Sequence, residues 1–271
     1  MKTKKIIMIV AIILIVVLTG FVGYTIYQKV TFKKQNPIVT MEIEGIGTMK
    51  LELYPDQAPN TVANFITLAN RGFYDGLTFH RIVKDFMVQG GDKDGTGSGS
   101  PTLSAIEDGA SETENYAIKG EFVQNGFNKN TIRHEKGVIS MARSDYSQMG
   151  LYEEGYNSAG SQFFIMTGDN ATLNGYYAAF GKVIEGMEVL DKLNETEVTT
   201  ADETEGAEAS KPVNPPVIKS VRVDTFGVDY GKPNTVKPFD YNSYLQQMYS
   251  GMSGMLSLIH ISEPTRLDVI S

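Results

Sequence analysis

Apolar and polar residues alternate over Val39-Thr-Met-Glu-Ile43 and again over Met49-Lys-Leu-Glu-Leu53, with Gly45-Ile-Gly47 between them. A period of two on either side of a glycine turn predicts a β-hairpin. Pro55 and Pro59 end it. Val62, Phe65, Ile66 and Ala69 then fall at helical spacing, with Pro59 near the start and Gly72 just past the end, as a helix requires. Strand-like runs recur at 79–83, 86–89, 137–142, 162–166, 179–183 and 217–226. A second helix is predicted over 186–193, where Met187, Leu190 and Leu193 share one face. Eight strands and two helices predict a mainly β chain: a closed eight-stranded antiparallel barrel capped by the two helices.

The flanks read differently. Residues 1–5 form a basic leader, and residues 6–27 carry no charge over 22 positions. A helix of that length spans roughly 33 Å, enough for a hydrocarbon core of about 30 Å. The run is longer than the apolar region of a cleaved signal, and its glycine and aromatic residues make a poor cleavage site. The expectation is a retained single-pass anchor over 1–27 in the cell membrane, N-terminus inside and the body outside the cytoplasm. A short linker, 28–37, follows. Residues 92–101 are Gly/Ser-rich and read as a loop. Residues 194–216 are acidic and poor in large apolar side chains, and read as a flexible insertion. After the domain at 38–227, a C-terminal extension at 228–255 holds a short helix candidate over 241–249. Residues 256–271 are similar to a translated sequencing-adapter read-through, so they are expected to be foreign to the native chain.

Composition narrows the chemistry. There are no cysteines and only three histidines, so a disulfide scaffold, a thiolate metal site and a cysteine nucleophile are excluded. Net charge is -8 overall. Residues 1–34 hold six lysines and no acid, which leaves -14 for the remainder. That acidity argues against nucleic acid as a partner, and nothing indicates an oligomer. Asp92 and Asp94 sit near glycines but lack the spacing and terminal glutamate of a calcium loop, so no metal is expected.

Four blocks carry a resemblance. Phe79-His-Arg-Ile-Val-Lys-Asp-Phe-Met-Val-Gln-Gly-Gly-Asp92 is joined by Ala58-Pro-Asn-Thr-Val-Ala-Asn-Phe65, Ser158-Ala-Gly-Ser-Gln-Phe-Phe-Ile165 and Leu173-Asn-Gly-Tyr-Tyr-Ala-Ala-Phe-Gly-Lys-Val183. In order and spacing they resemble the cyclophilin family of peptidyl-prolyl isomerases, over about residues 38–227. The resemblance implies rotation of X-Pro bonds in proline-containing polypeptides, and assisted folding of exported or surface proteins if the body lies outside. A proline-peptide binding module with little turnover is the alternative.

Rotation about an X-Pro bond breaks amide resonance, against a barrier of ~18–20 kcal/mol, but cuts no bond. It needs no nucleophile, metal or cofactor. It needs an apolar pocket for the proline ring and a donor for the nitrogen lone pair of the twisted amide. The resemblance makes Arg81 that donor, with Gln89 and Gln162 holding the arginine and the substrate backbone. It makes Phe86, Met87, Phe164 and Leu173 the pocket lining and Ala142 a small residue beside the groove. Phe163 and Phe164, being adjacent in a strand, must face opposite sides; the resemblance puts Phe164 in the pocket. Tyr177 stands where the best-known members have histidine, and keeps an aromatic wall. Arg143 stands where they have an asparagine that contacts substrate mainly through its backbone. Thr172 replaces a tryptophan, which implies weak cyclosporin binding. His80 is expected to be a hydrogen-bonded core or rim residue, and His134 is not expected to be a base.

Overall fold

The structure, a computed structural model, describes residues 7–8, 13–24, 35–200 and 209–260, the last ten by their backbone alone. The strands are β1 (Ile38–Ile43), β2 (Gly47–Leu53), β3 (Phe79–Val83), β4 (Met87–Gly90), β5 (Val138–Met141), β6 (Phe163–Met166), β7 (Ala179–Glu185), β8 (Val198–Thr200), β9 (Ala209–Pro212) and β10 (Ile218–Asp224). The α-helices are α1 (Pro59–Asn70), α2 (Tyr152–Tyr156), α3 (Met187–Asn194) and α4 (Tyr241–His260). The predicted hairpin is β1–β2, in register from Ile38↔Glu52 to Ile43↔Gly47.

Eight strands form one antiparallel sheet in the order β10-β1-β2-β7-β5-β6-β4-β3. It curls into a half-barrel, and the closed barrel expected from the strand count is not formed. The edge strands β3 and β10 meet through an isolated bridge, Thr78↔Val217, rather than a ladder. Phe79 N donates to Pro216 O at 2.9 Å and Ile218 N to Leu77 O at 2.7 Å. Pro215 and Pro216 have no amide hydrogen, so that edge cannot be extended into a ladder.

The inside of the curl is one core. Val39, Met41, Leu51 and Leu53 from β1 and β2 are fully buried there with Phe163, Phe180 and Val221. Helix α1 closes it with Val62, Phe65, Leu68 and Ala69. Phe65 sits at the centre of an aromatic cluster, 5.1 Å from Tyr74, 5.2 Å from Phe180 and 5.8 Å from Phe163. Clusters of this kind contribute about 0.5–1.5 kcal/mol per pair beyond buried area.

The start of α1 shows how a distant residue completes a local element. Its N-cap, Ala58, has no side-chain acceptor. The buried carboxylate of Glu121 takes that place, accepting from Asn60 N at 3.0 Å, Thr61 N at 2.8 Å and the Thr61 hydroxyl at 2.7 Å. A negative charge there also complements the helix dipole.

Within 194–216, where no core-building pattern is visible, the chain instead pairs β8 with β9 from Val198↔Pro212 to Thr200↔Ala209, and β9 lies alongside β3. At the N-terminus, residues 7–8 and 13–24 are helical and exposed. Among the described residues no helix is long and apolar enough to cross a membrane; the rest of the 6–27 segment lies outside them. The expected helix over 241–249 begins α4, which runs to His260. The expectation for 256–271 falls outside the described residues apart from the helical backbone of 256–260.

Replacing Glu121 with alanine leaves two amides and a hydroxyl unpaired at a buried helix end. Urea denaturation should register a loss of about 2–3 kcal/mol. A loss below about 0.5 kcal/mol would show that Glu121 does not act as the cap.

Candidate active site

Strand β6 has two faces and divides its phenylalanines between them. Phe163 enters the main core, while Phe164 joins a second apolar cluster with Val83, Met87, Val138, Met166 and Ala179 on the outer face. Phe86, Ala142, Leu173 and Tyr177 pack on that cluster. These four, with Arg81, Met87, Gln89, Arg143 and Phe164, frame an open cavity of about 280 Å³. Nine of the ten residues singled out in the sequence thus line one cavity. Gln162 is the exception. It lines an adjoining cavity of about 140 Å³ that shares Gln89, Ala142 and Arg143 with the first.

Arg81 reaches the outer face through an irregularity. In the β3–β4 ladder Phe79 pairs with Gly90 and Arg81 with Gln89, so His80 is an extra residue between them. Strict alternation would put Phe79 and Arg81 on the same face. The bulge turns Phe79 into the core and Arg81 to the cavity, as bulges beside active sites do. Arg81 is partly buried, and its Nη1 lies 3.8 Å from the Met87 sulfur.

The glutamines are held as a pair. Gln89 Nε2 donates to Gln162 Oε1 at 3.0 Å, and Gln162 Nε2 donates to Gly97 O at 3.1 Å and Gly99 O at 2.9 Å. The glycine-rich loop that supplies these carbonyls is organised by Asp92. Its carboxylate accepts from the amides of Asp94 (2.9 Å), Thr96 (2.9 Å), Gly97 (2.6 Å) and Gly99 (3.2 Å). Burial acts to raise the Asp92 pKa, and the four amides together outweigh it, so its carboxyl lies below the usual value. Glycine is required at 99, where a Cβ would strike that carboxylate. Asp92 therefore anchors a loop, a role for which the sequence offered only the negative argument against a calcium site. Among the described residues no cluster of three or more His, Asp or Glu side chains is placed to hold a metal.

Two side chains have roles that the sequence reading missed. The Arg143 guanidinium lies over Tyr177 (4.5 Å), Tyr156 (5.0 Å) and Phe122 (5.8 Å) and donates to Tyr176 O at 3.0 Å and Ser144 O at 2.9 Å. It orients the Tyr177 ring, which stands edge-on to Phe164 at 5.6 Å. His134 backs the same wall, stacked on Phe164 at 6.0 Å. Asn174 Oδ1 accepts from the His134 amide at 2.8 Å and lies 3.2 Å from its Nδ1, while Nε2 lies 3.2 Å from the Ser140 hydroxyl. An amide oxygen only accepts, so Nδ1 carries the hydrogen and Nε2 takes the hydroxyl proton. His80 departs from its expected hydrogen-bonded state. Both its ring nitrogens are buried without a hydrogen-bond partner among the described residues, because the bulge packs the ring near Gly97. Burial first, then the charge of Arg81, lowers its pKa against the opposing pull of Asp92.

The profile of the family described as cyclophilin type peptidyl-prolyl cis-trans isomerase/CLD matches residues 38–223. Peptidyl-prolyl cis-trans isomerase B of Bacillus subtilis (strain 168) is 39% identical over 164 residues, 60% of this chain and 95% of that protein. Peptidyl-prolyl cis-trans isomerase CYP18-2 of Arabidopsis thaliana is 36% identical over 166 residues, 61% of this chain and 85% of its own. A crystal structure of a Cryptosporidium parvum cyclophilin type isomerase, determined in the presence of the dipeptide Ala-Pro, aligns with a TM-score of 0.53 at 28% identity, over 69% of this chain and 98% of that one. The fold and the comparisons define a protein that binds proline-containing peptides. The chain belongs to the cyclophilin-type peptidyl-prolyl cis-trans isomerase family, and it is an enzyme of that activity.

Burial lowers the His134 pKa, and the Asn174 hydrogen bond opposes that shift without cancelling it. The unfolded chain takes up this proton near pH 6.5 and the folded chain only at lower pH, so stability should fall as pH drops below about 6.5. The slope per such histidine is at most about 1.4 kcal/mol per pH unit. Urea midpoints of the wild type and His134→Asn at pH 7.5 and 5.5 test this. The variant should lose less stability on acidification, and equal losses would remove His134 as the source.

Proposed function

We propose that Arg81 donates to the proline nitrogen of the twisted X-Pro amide while Phe86, Met87, Phe164 and Leu173 hold the ring. As the amide rotates, resonance is lost and the nitrogen regains a lone pair that accepts a hydrogen bond. A guanidinium fixed beside an apolar floor stabilises this state more than the planar ground states, which is what lowers a barrier. Gln89 and Gln162 orient the substrate backbone, Ala142 leaves room for it, and Arg143 and Tyr177 close the far wall. The observation that carries this reading is the convergence of nine of these ten residues on one cavity.

The clients on this reading are exported or surface proteins folded outside the cytoplasm. The uncharged 6–27 segment behind a basic leader supports it, as a retained anchor with the N-terminus inside. Protease added to intact cells should then remove the 35–255 body, and full protection of the body would reverse the orientation.

Arg81→Ala should lower catalysis on an X-Pro peptide by on the order of 10²-fold, as loss of a donor at a developing charge does. Exchange spectroscopy reads the cis–trans rate directly. Equal rates in wild type and variant would remove Arg81 from the chemistry. Peptide binding without any rate enhancement in the wild type would favour a binding module.

A further inference from the structure

A third cavity, of about 440 Å³, adjoins the proline cavity and shares Arg81 and Gln89 with it. Its remaining walls come from His80 on β3, Thr96 and Gly97 of the glycine-rich loop, and Ser210 and Lys211 on β9. Two bulges meet at this space. Adjacent residues of a regular strand point to opposite sides, so a neighbouring pair does not ordinarily face one cavity. Here a pair on each strand does. On β3 the extra residue His80 brings His80 and Arg81 to the cavity together. On β9, Thr199 pairs with Lys211 and Thr200 with Ala209, which leaves Ser210 as the extra residue. Ser210 and Lys211 then both line the cavity. Bulges re-aim side chains in this way. Strand β9 lies along β3 but forms no ladder with it, which leaves the space between them to side chains.

The charge of this space is one-sided. Arg81 and Lys211 line it, and no carboxylate does. Asp92, the carboxylate that acts on His80, is taken up by four amides of the glycine-rich loop. The Gly97 carbonyl accepts from Gln162 at 3.1 Å. Lys211 is exposed and forms no ion pair among the described residues, whereas Lys84 and Lys219 are held by Glu195 and Glu42, each at 2.7 Å. Ser210 adds a hydroxyl donor to the same wall. An ammonium and a hydroxyl side by side, with no acidic partner, suit a carboxylate.

We infer that Lys211 is a specificity-determining residue: with Ser210 it takes the side-chain carboxylate of an aspartate or glutamate near the client's proline, in the cavity beyond Arg81. This rests on the reading that the groove binds X-Pro peptides. Arg81 keeps its place at the proline nitrogen, and Lys211 supplies the added cation. Residues 35–271 sum to -14, so the chain as a whole repels an acidic peptide. The preference is a contact effect, and salt weakens it.

The test uses the full chain and X-Pro peptides capped at both ends, with glutamate or glutamine placed in turn at each of the three positions on either side of proline. The two side chains have the same shape, so the ratio of their affinities reads charge alone. An uncapped, glutamate-free peptide reads the terminal carboxylate as the other source. By calorimetry the wild type should bind the glutamate peptide roughly three- to fivefold more tightly at one position, the strength of a single exposed ion pair. The same factor should appear in KM and not in kcat. Lys211→Ala should bring the ratio to one, Lys211→Glu should invert it and Lys211→Arg should keep it. Lys219→Ala removes the same charge outside the cavity and should leave the ratio intact, with thermal melts confirming that each variant is folded. At about 1 M salt, where the screening length is about 3 Å, the wild-type ratio should shrink. A wild-type ratio below about 1.5 at every position, or a ratio that survives Lys211→Ala, overturns the inference. A gain confined to the uncapped peptide assigns the site to a chain end and overturns it as well. Binding with the expected ratio but without turnover counts against the catalytic reading alone, and absence of binding by any X-Pro peptide removes the groove reading and this inference with it.

Discussion

Two adjacent side chains on a strand cannot share a face, and β6 uses that constraint to join the core to the groove. Phe163 is locked among Phe65, Tyr74 and Phe79. That packing leaves Phe164 no choice but the outer face, where it becomes the floor of the cavity. The floor of the groove is therefore backed directly by the core. Its neighbours are held the same way: β6 lies between β4 and β5, which deliver Met87 from one side and lead into Ala142 on the other.

Around that floor the polar groups are fixed by hydrogen bonds that run inward from structure rather than from substrate. Asp92 shapes the glycine-rich loop, the loop carbonyls hold Gln162, and Gln162 holds Gln89. On the opposite wall, Arg143 is enclosed by three aromatic rings and carries Tyr177 with it. Such pre-arrangement suits a reaction with no bond cleavage, where the gain comes from preferring one amide geometry over two others. His134 belongs to the wall: it packs on Phe164 and Tyr177, and its ring nitrogens face Asn174 and Ser140.

Much of the acidity falls in one stretch of the chain. Nine acids and one lysine fall within residues 185–210, a stretch that includes α3, β8 and the start of β9. The cavity walls contribute two arginines and no carboxylate among their described residues. The C-terminal extension is a separate part, bound along the outside of the domain where Lys232 pairs with Glu107, Asn234 with Asn60 and Val236 with Ala117.

The sequence by itself determined the parts that depend on local period. Alternation marked β1, β2 and β10, helical spacing and flanking Pro and Gly marked α1, and the adjacency of Phe163 and Phe164 required one of them to face away from the core. Family-like blocks added the site residues, nine of which share one cavity. Only the tertiary structure decided three things. The sheet stops short of closure because prolines at 215 and 216 cannot donate across the seam. Arg81 turns outward because His80 is inserted as a bulge, which no period-two pattern displays. Glu121, Tyr146 and Arg143 act on partners up to 95 residues away in the chain, counting Tyr146 to Tyr241, and contacts at that separation leave no periodic trace. Each depends on which groups the curled sheet brings together, a condition that local sequence does not contain.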